Sequence, residues 1–460
     1  MYTFQDFEKA EDKTKFILDA INQHKYSELY TTAETANLYD RQRNKTINEF
    51  IRIVYKTDGS SAENYAVANY RLANNLFHRL NTQRCTYSLG NGVSFSDHKK
   101  EVVQENGLTI TIDETKERLG SRFDTDFKKL AYKAIIHGVS FGYWNTERLY
   151  VFPVTEFVPL WDENTSVLRA GIRFWRIDNN KPLNITLYEK DGYTKYRVNS
   201  ELKIEETQEK RSYVTKIRST NADGEVVTGE NNYTDLPIIP LWGSDLKQST
   251  LTGMQQALDS IDLIKSGFAN DLSDCAEIYW LIENYGGMTD ADLEQFRDRL
   301  KFLHIASVNT QDGGKITTQT QNIPYAARQT YLAEIRASLY EDFGGLDVHT
   351  VAAGATNDHI DAAYQPLDEN ADDFEYQCIE FIQQLLNLEG ISDTPIFKRN
   401  RISNQTEQTQ MVVSVSEHLD EETILQKLPF ITVDEIPDIL ARKDKENMDR
   451  MLDMETIATV

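Results

Sequence analysis

The run Gly313-Gly314-Lys315-Ile316-Thr317 is the nearest approach in this sequence to a phosphate-binding loop. Such a loop needs an earlier glycine at a fixed spacing to cradle the phosphates, and a Ser or Thr directly after the lysine to bind magnesium. Here Ile316 follows the lysine, and no glycine stands at the required earlier position. We therefore interpret the run as the tip of a β-hairpin and expect no ATP chemistry in this chain.

Metal and thiol chemistry are no better supported. None of the eight histidines forms a His-x-x-x-His pair or a His-Glu-x-x-His motif, so no helix face presents two imidazoles to zinc. Cys85, Cys275 and Cys378 lie far apart in the chain, which gives neither a disulfide framework nor a metal cluster. We expect no metal, no cofactor and three buried thiols.

Carboxylates are the one abundant reactive group, because 73 Asp and Glu outnumber 49 Lys and Arg and give a formal net charge of −24. Acid–base hydrolysis needs two carboxylates at a defined separation, and the sequence singles out no such pair. An acidic hydrolase with an unidentified pair therefore stays open as an alternative. The chain is not a disordered acidic tail, since 40% of its residues are hydrophobic and 10% aromatic.

Membrane insertion and secretion are not predicted. No stretch approaches the roughly 18 to 20 consecutive apolar residues of a membrane-spanning helix. The first residues are polar and mixed in charge, without the apolar segment of a secretory signal. We expect a folded, acidic protein that is made in the cytoplasm.

The first half of the chain divides into a helical part, residues 1–140, and a β-rich part, residues 141–245. The spacing of apolar residues predicts an amphipathic helix over Glu63 to Leu80, then a break at Gly90 and Gly92 before a short strand. A second helix, Asp126 to His137, ends at Gly138. In the β-rich part, Ile185 to Val198 predicts a hairpin with Asp191-Gly192 at its turn, and Asp223-Gly224 indicates another.

The second half predicts two long helices separated by a small insertion. Apolar residues recur every three or four positions from Met254 to Ile282, including Tyr279, and predict one helix over 251–282. A short helix from Asp290 to Leu300, a strand from Phe302 to Val308 and a glycine turn make up the insertion. The second helix covers 325–343 and ends at Gly344-Gly345.

A small-residue loop then leads into a third long helix. Thr356 is its predicted N-cap, Pro366 should kink it because proline removes a backbone hydrogen bond, and Gly390 ends it. The C-terminal part predicts a strand around Ile396, a helix after Asn404 and a helix capped by Asp420, before a loose end.

The charge is distributed unevenly along the chain. Residues 338–397 contain thirteen Asp and Glu and no Lys or Arg, whereas residues 41–100 carry ten basic and four acidic residues. On composition alone the acidic segment is a solvated face.

Four stretches of the chain, none of them a catalytic signature, resemble a known family in their order and spacing. They are Asn75 to Phe95, Ala134-Ile-Ile-His-Gly138 leading into Pro153 to Pro159, Leu236-Pro-Ile-Ile-Pro240 through Asp259-Ser-Ile-Asp262 into the long helix, and Phe397-Lys-Arg-Asn400 with Asp420 to Phe430. The likeness is to the portal proteins of tailed bacteriophages, in particular the family typical of long-tailed phages of Gram-positive hosts.

The resemblance implies an α+β portal fold assembled as a dodecameric ring at one capsid vertex. Double-stranded DNA would pass through the ring without sequence-specific binding, and the ring would hydrolyse no ATP. The implied parts are a wing (1–250), first stem helix (251–282), clip (283–324), second stem helix (325–343), tunnel loop (344–356), kinked helix (357–390), crown (391–445) and loose tail (446–460).

The resemblance also implies roles for particular residues. The clip would dock the terminase large subunit and then the head-to-tail adaptor, through Gly286, Gly287, Asp290, Asp292, Glu294, Gly313 and Gly314. Pro366 marks the helix kink. The tunnel loop facing DNA would consist of His349, Thr350, Val351, Ala352, Ala353, Gly354, Ala355 and Thr356.

The implied setting is the virion, where major capsid and scaffolding proteins would be further partners after assembly in the host cytoplasm. A carboxylate-rich channel wall repels phosphates, whereas Lys and Arg would hold them, so the acidic segment suits a duplex that must slide. Another virion component without a channel stays open as a further alternative.

Overall fold

The computed structural model describes residues 2–55, 60–63, 68–103, 109–199, 203–220, 226–275, 279–283, 315–319, 324–347, 356–401, 405–416, 420–428, 436 and 439–443. The chain divides into two compact units. The first comprises Met1–Glu34, Arg79–Thr250 and Tyr340–Val460, and the second comprises Thr35–His78 and Leu251–Leu339.

The part before residue 140 is mainly helical, as predicted, with short hairpins between the helices. Its helices are α1 (Phe4–Lys9), α2 (Lys13–Lys25), α3 (Glu28–Asp40), α4 (Lys45–Glu49), α5 (Leu76–Leu89), α6 (Glu114–Leu119) and α7 (Phe123–His137). Its strands are β1 (Ile53–Tyr55), β2 (Ser61–Glu63), β3 (Val93–Phe95), β4 (Lys99–Val103) and β5 (Thr109–Asp113). Gly138 ends α7 with a φ of +90°, a conformation that favours glycine.

The predicted helix over Glu63 to Leu80 is wrong. Glu63 ends strand β2, residues 68–75 form no helix, and α5 begins only at Leu76. The break before β3 is confirmed, because α5 ends at Leu89 and β3 starts at Val93.

The backbone of residues 70–74 bonds to the side of a distant helix, α8 (Leu251–Cys275), within the second unit. The N–H groups of Tyr70, Leu72 and Asn74 donate to Oδ1 of Asn270 (2.7 Å), Oγ of Ser266 (2.9 Å) and Oδ1 of Asp262 (2.7 Å), respectively. In an extended chain, amides two residues apart are separated by about 6.6 Å. In a helix, residues four positions apart are separated by about 6 Å along the axis. The two periods match, so three successive bonds form in antiparallel register.

The β-rich part contains two main sheets, all of whose strand pairs are antiparallel. The five-stranded sheet has the order β12-β11-β10-β9-β8, and the three-stranded sheet the order β15-β6-β7. Strands β13 and β14 form a separate hairpin. The bounds are β6 (Val139–Trp144), β7 (Leu149–Pro153), β8 (Phe157–Trp161), β9 (Leu168–Trp175), β10 (Asn184–Glu189), β11 (Gly192–Val198), β12 (Ile204–Arg211), β13 (Val214–Thr220), β14 (Val226–Asn231) and β15 (Ile238–Trp242).

Both predicted hairpins are present, but the turn of the first lies one residue earlier than the predicted Asp191-Gly192. Glu189 pairs with Gly192 across the first, so Lys190 and Asp191 make the turn and Gly192 opens the return strand. The strands of the second pair from Val214↔Asn231 to Thr220↔Val226, and Asp223-Gly224 lie outside the described residues.

The first unit has separate hydrophobic clusters. One packs helix α7 against the sheet of β6 and against the third long helix, with Phe127, Leu130, Phe374 and Phe381 fully buried. Another covers one face of the five-stranded sheet with α1 and α2, through Phe7, Ile17 and their neighbours. Burial of this apolar surface is the main stabilising contribution to the fold.

The second unit contains α8 and the second long helix, α9 (Tyr325–Phe343), which extends into the first unit at its end. The prediction for α9 is confirmed at both ends. The prediction that the first long helix runs on to Ile282 is wrong, because α8 ends at Cys275, and Tyr279 and Ile282 lie in strand β16 (Tyr279–Glu283). Strand β16 pairs with β17 (Lys315–Gln319), so Lys315, Ile316 and Thr317 form a strand opposite Glu283, Ile282 and Leu281.

The third long helix is α10 (Asn357–Glu389), which includes Pro366. Gly390 ends it in the left-handed conformation at φ +66°, as predicted. The C-terminal strand and helices are also confirmed as β18 (Pro395–Phe397), α11 (Gln405–Val415) and α12 (Glu421–Lys427), with Asp420 capping α12 through Thr423 N. Strand β18 pairs with β3, so the residues after α10 join the N-terminal part of the first unit.

Among the described residues, no helix is both long enough and apolar enough to cross a membrane.

Candidate functional site

The loop between α9 and α10 is the predicted DNA-facing site, and its two ends are described. His349, Thr350, Val351, Ala352, Ala353, Gly354 and Ala355 lie outside the described residues. Thr356 takes the N-cap position of α10, as predicted, but its carbonyl rather than its hydroxyl accepts the first helical hydrogen bonds, from His359 and Ile360 N. Helix α10 is continuous through Pro366, and a kink there stays a prediction.

The predicted docking residues of the insertion also fall outside the described part of the chain. They are Gly286, Gly287, Asp290, Asp292, Glu294, Gly313 and Gly314. Asp290 to Leu300 and Phe302 to Val308, predicted as a helix and a strand, lie there too.

The chain enters the loop through a tight stop at the end of α9, a segment, Phe343–Asp347, that we call the loop root. Gly344 has a φ of +65°, and the N–H groups of Gly344 and Gly345 donate back to the carbonyls of Glu341 and Tyr340. A side chain at Gly345 would lie only 2.7 Å from Cδ2 of Leu80. The glycine pair therefore both ends the helix and lets α5 approach the backbone closely.

A single side chain holds the next residue of the loop root. Gln83 accepts a hydrogen bond from Leu346 N through Oε1 (3.0 Å) and donates from Nε2 to Leu346 O (2.9 Å). The amide thus satisfies both backbone polar groups of Leu346, as a neighbouring strand would. Asn370 of α10 adds a third bond, from Nδ2 to the carbonyl of Phe343.

The side chain of Leu346 is buried in a small apolar cluster under the loop. Its partners are Tyr87 of α5 and Ile360, Tyr364, Leu367 and Ala371 of α10. The rings of Tyr87 and Tyr364 stack with centroids 5.7 Å apart. Leu346, near the start of the tunnel loop, and the first turns of α10 therefore share one core.

The α5 residues that contact the loop root, together with Arg84, all lie on one face of this helix. Leu80, Gln83, Arg84 and Tyr87 are spaced at i, i+3, i+4 and i+7, which places them on the same side of a helix. Arg84 is only 4% exposed; it donates to the carbonyls of Gly243 and Asn370 (3.3 Å each) and lies 3.7 Å from a carboxylate oxygen of Asp373. Burial lowers the pKa of this guanidinium.

Two arginines just after the acidic segment bind its carboxylates, and we call Arg399 and Arg401 the arginine pair. Arg399 contacts Asp368 (2.9 Å), Asp372 and both carboxylate oxygens of Glu375 (3.1 and 2.9 Å). Arg401 contacts Asp361 (3.1 Å), Asp368 and the hydroxyl of Tyr87 (2.8 Å).

Because of the arginine pair, the acidic segment is not a uniformly solvated face, as its composition alone had indicated. Asp368 also accepts from the hydroxyl of Tyr87 at 2.6 Å, so α5, α10 and the arginine pair meet at one carboxylate. Burial alone would raise the pKa of Asp368, but hydrogen bonds from Arg401 and Tyr87 hold it below its usual value. Part of the negative charge of α10 is therefore neutralised within the chain, while Asp361 and Asp372 keep 65% and 59% of their side chains exposed.

The described residues offer little to catalysis. They contain no group of three or more His, Cys, Asp or Glu side chains placed to hold a metal ion. Asp259 and Asp262 form a carboxylate pair on α8, but Asp262 is fully buried and hydrogen-bonded to Asn44 and Asn74, so it meets no substrate. Burial raises the pKa of Asp262.

The sequence predicted α9 and α10 but gave no indication of Gln83, Tyr87 and Arg84, because their partners are 159 or more positions away. Arg399 and Arg401 carried a usable signal, since they are among the first cations after thirteen acidic residues.

Comparison with known proteins places these features in a family. Residues 21–449 match the family described as phage portal protein, SPP1 Gp6-like. Two relatives named portal protein are similar in sequence: that of Clostridium phage phiCD119 is 26% identical over 216 residues, 45% of this chain and 48% of the relative, and that of Bacillus phage SPP1 is 27% identical over 229 residues, 46% and 44%. The chain thus spans about half the length of the curated relatives it matches.

A solved structure, the neck of an empty GTA particle computed with C6 symmetry, covers 77% of this chain and 90% of its own at 9% identity, with a TM-score of 0.39. That likeness is too weak to add to the sequence match. Since the family match runs through nearly the whole chain, the protein belongs to the SPP1 Gp6-like phage portal protein family.

Proposed function

We propose that this chain is the subunit of a closed portal ring at one capsid vertex, through whose axial channel double-stranded DNA enters and later leaves. The observation that carries the proposal is the family match over residues 21–449. A dodecameric ring is the form we propose. In a ring each subunit presents two different surfaces to its neighbours, and rotation closes the assembly.

Within this ring the tunnel loop, residues 344–356, faces the DNA through residues 349–356. Its support favours this role, because Gly344 to Leu346 on one side and α10 on the other are held to α5 by hydrogen bonds and a shared core. Ala352, Ala353, Gly354 and Ala355 are small and uncharged, so they approach a groove without adding phosphate contacts.

The charge of α10 also favours passage without binding. The arginine pair bonds back to the carboxylates of α10, so these two cations are engaged within the chain. The remaining exposed carboxylates repel phosphates, which lowers the affinity of the channel wall for DNA.

The remaining roles follow from the same proposal. The clip, 283–324, docks the terminase large subunit and then the head-to-tail adaptor, with Gly286, Gly287, Asp290, Asp292, Glu294, Gly313 and Gly314 as the proposed contact residues. Major capsid and scaffolding proteins contact the ring during assembly in the host cytoplasm and in the virion. The chain is a conduit and not an enzyme, and the packaging energy comes from a separate motor.

Electron microscopy of the purified full chain tests the proposal. Class averages should contain closed rings with an axial hole wide enough for a duplex, and native mass spectrometry should give a single high oligomer. A protein that stays monomeric at micromolar concentration under both methods would exclude the channel.

A further inference from the structure

We propose that Gln83 is the positioning residue for the DNA-facing loop, and that it sets where the loop begins by holding the backbone of Leu346. The inference rests on the proposed function, since it assigns a task to a residue outside the loop. Gln83 lies on α5, 263 positions from Leu346 in the chain, and belongs to neither of the helices that the loop connects.

The geometry is that of a two-point clamp. Oε1 accepts from Leu346 N at 3.0 Å and Nε2 donates to Leu346 O at 2.9 Å, so one planar amide fixes both the position and the orientation of one peptide segment. A residue held at a single point could still rotate about that bond. Two bonds to one residue remove this freedom at the place where α9 has already ended.

The surroundings leave the clamp little room to move. Gly345 brings the backbone so close to α5 that an added Cβ would lie 3.3 Å from Oε1 of Gln83, and 2.7 Å from Leu80. On the other side, Leu346 is only 6% exposed, in the cluster with Tyr87 and Tyr364. The amide therefore bonds to a backbone that packing has already brought into reach.

The clamp makes a specific contribution that packing alone does not make. Apolar contacts with Tyr87 and Tyr364 resist removal of Leu346 but are not directional, whereas hydrogen bonds weaken steeply when their angle is lost. Loss of Gln83 should therefore leave the subunit folded while the loop starts from a broader range of directions. In a ring, that range is repeated in every subunit.

The experiment measures contact between the loop and packaged DNA. Ala353→Cys, labelled with a benzophenone, is carried by the full-length chain in assembled, DNA-filled heads, and photo-crosslinking to DNA is quantified. Gln83→Met in the same background keeps the length of the side chain and removes both hydrogen bonds. Gln83→Glu keeps an acceptor for Leu346 N and loses the donor. Gln384→Met is the matched control, because Gln384 is exposed on α10 and bonds only to Glu380 among the contacts found for the described residues.

The clamp predicts a fall in crosslinking of about tenfold for Gln83→Met, the order expected when hydrogen bonds to one part-buried group are lost. Gln83→Glu should give an intermediate loss, and Gln384→Met should match the parent. Equal yields in the parent and in Gln83→Met would overturn the positioning role while leaving the portal function intact. Rings whose parent loop never crosslinks to DNA would overturn the proposed role of the loop, and the inference with it.

Should Gln83→Met fail to assemble, hydrogen exchange of the Leu346 amide in the parent and in Gln83→Glu decides the question. Protection in both supports the clamp, and exchange at the rate of an unbonded amide in the parent contradicts it.

Discussion

Oδ1 of Asp262 accepts two hydrogen bonds from a single residue, Asn74, one from its backbone N–H at 2.7 Å and one from its side-chain Nδ2 at 2.6 Å. The other carboxylate oxygen accepts from Nδ2 of Asn44 at 2.5 Å. Asp262 is completely buried, and its three donors come from two segments that precede it by about 190 and 220 positions. This carboxylate is therefore one buried point at which the first long helix binds the N-terminal segments of its own unit.

Asp262→Ala should lower the free energy of unfolding by about 3 kcal/mol, because it removes the acceptor of three buried hydrogen bonds. Urea unfolding followed by tryptophan fluorescence would measure the change. Asp342→Ala, at an exposed position on α9, is the control and should shift the midpoint little. A loss equal to that of the control would contradict the proposed importance of the acceptor.

Asp262→Asn separates the hydrogen bonds from the charge. Its oxygen can still accept from Asn74, and once the Asn44 side-chain amide turns over, the new N–H can donate to Oδ1 of Asn44, which has no partner among the described residues. Burial raises the pKa of Asp262. The contribution of this carboxyl group to the free energy of unfolding is therefore greatest below the unfolded pKa of about 4, and it is lost as pH rises through the folded pKa. Relative to the parent, Asp262→Asn should therefore gain stability as pH rises above about 4.

Arg399→Met should destabilise the first unit by about 2 kcal/mol, because it removes charge-assisted hydrogen bonds to three carboxylates of α10. The loss should shrink in 1 M salt, where exposed charges are screened. Lys398→Met is the matched control, since Lys398 is exposed directly beside Arg399. Thermal unfolding at low and high salt measures both, and identical shifts for the two variants would argue against the ion-pair network.

Acid should weaken the contact between β3 and the residues after α10 through Asp393. Its fully buried carboxylate accepts from Thr115 Oγ1 (2.6 Å), from the N–H groups of Asp97 (2.9 Å) and Thr394 (2.8 Å) and from His98, whose ring lies 3.2 Å away. Burial alone would raise the pKa of Asp393, but these bonds lower it to about 2.

Because the pKa of Asp393 is lower in the folded state, its ionised carboxylate stabilises the fold. This stabilisation is complete above the unfolded pKa of about 4 and is lost as pH falls towards about 2. Urea midpoints of the parent and Asp393→Asn should differ most near pH 5 and converge below pH 3. A difference that does not change over this range would contradict the assignment.

Lysines at two positions of the loop, Ala353→Lys with Ala355→Lys, should slow DNA packaging and ejection by adding phosphate contacts, and the delay should shrink as salt rises. Asn179→Lys with Asn180→Lys places the same added charge on an exposed turn before β10 and should have no effect on either rate. Real-time DNA release from purified particles measures the ejection rate. Unchanged rates in the loop variant would contradict the placement of the loop against DNA.

Reversal of charge in the clip, by Asp290→Lys, Asp292→Lys and Glu294→Lys together, should abolish docking of the motor or the adaptor while rings still form. Disruption of Gly286-Gly287 should have the same effect. Ring formation by electron microscopy and pull-down of the terminase large subunit measure the two properties separately. Loss of the rings themselves would show that these residues serve contacts between subunits instead.

The elements that could be predicted from the sequence are those with local stop signals. Gly344-Gly345 and Gly390 end α9 and α10 at the expected positions. Glycine readily adopts the positive φ that Gly344 and Gly390 have, so such a helix end can be recognised from the residue type alone. The prediction failed before Leu76 in the segment 63–80, and again at 279–282, where a helical period was present but long-range partners decided the outcome. In the first segment, the N–H groups of residues 70, 72 and 74 bond to α8. In the second, Tyr279 to Glu283 pair with β17, a strand that begins 32 residues after Glu283.

The position of the tunnel loop stays a prediction, whereas the contacts that support its first residues could not be predicted at all. Gln83 gives no sign in the sequence that it binds a backbone 263 positions later, since glutamine on a helix is ordinarily a surface residue. The excess of acidic residues in α10 can be read from the sequence. Its partial neutralisation cannot, because it depends on the turn after α10 that brings Arg399 and Arg401 back along the helix.

The bonds between residues 70–74 and α8 have a consequence for mutational tolerance. At positions 70 and 72 the donor is the peptide N–H, which every residue except proline carries. At these two positions the path is therefore encoded in Ser266 and Asn270, 194 and 200 positions away, and not in the side chains of residues 70 and 72. Substitutions at 70 and 72 can accumulate without changing that path, and proline is the one residue that both positions must exclude.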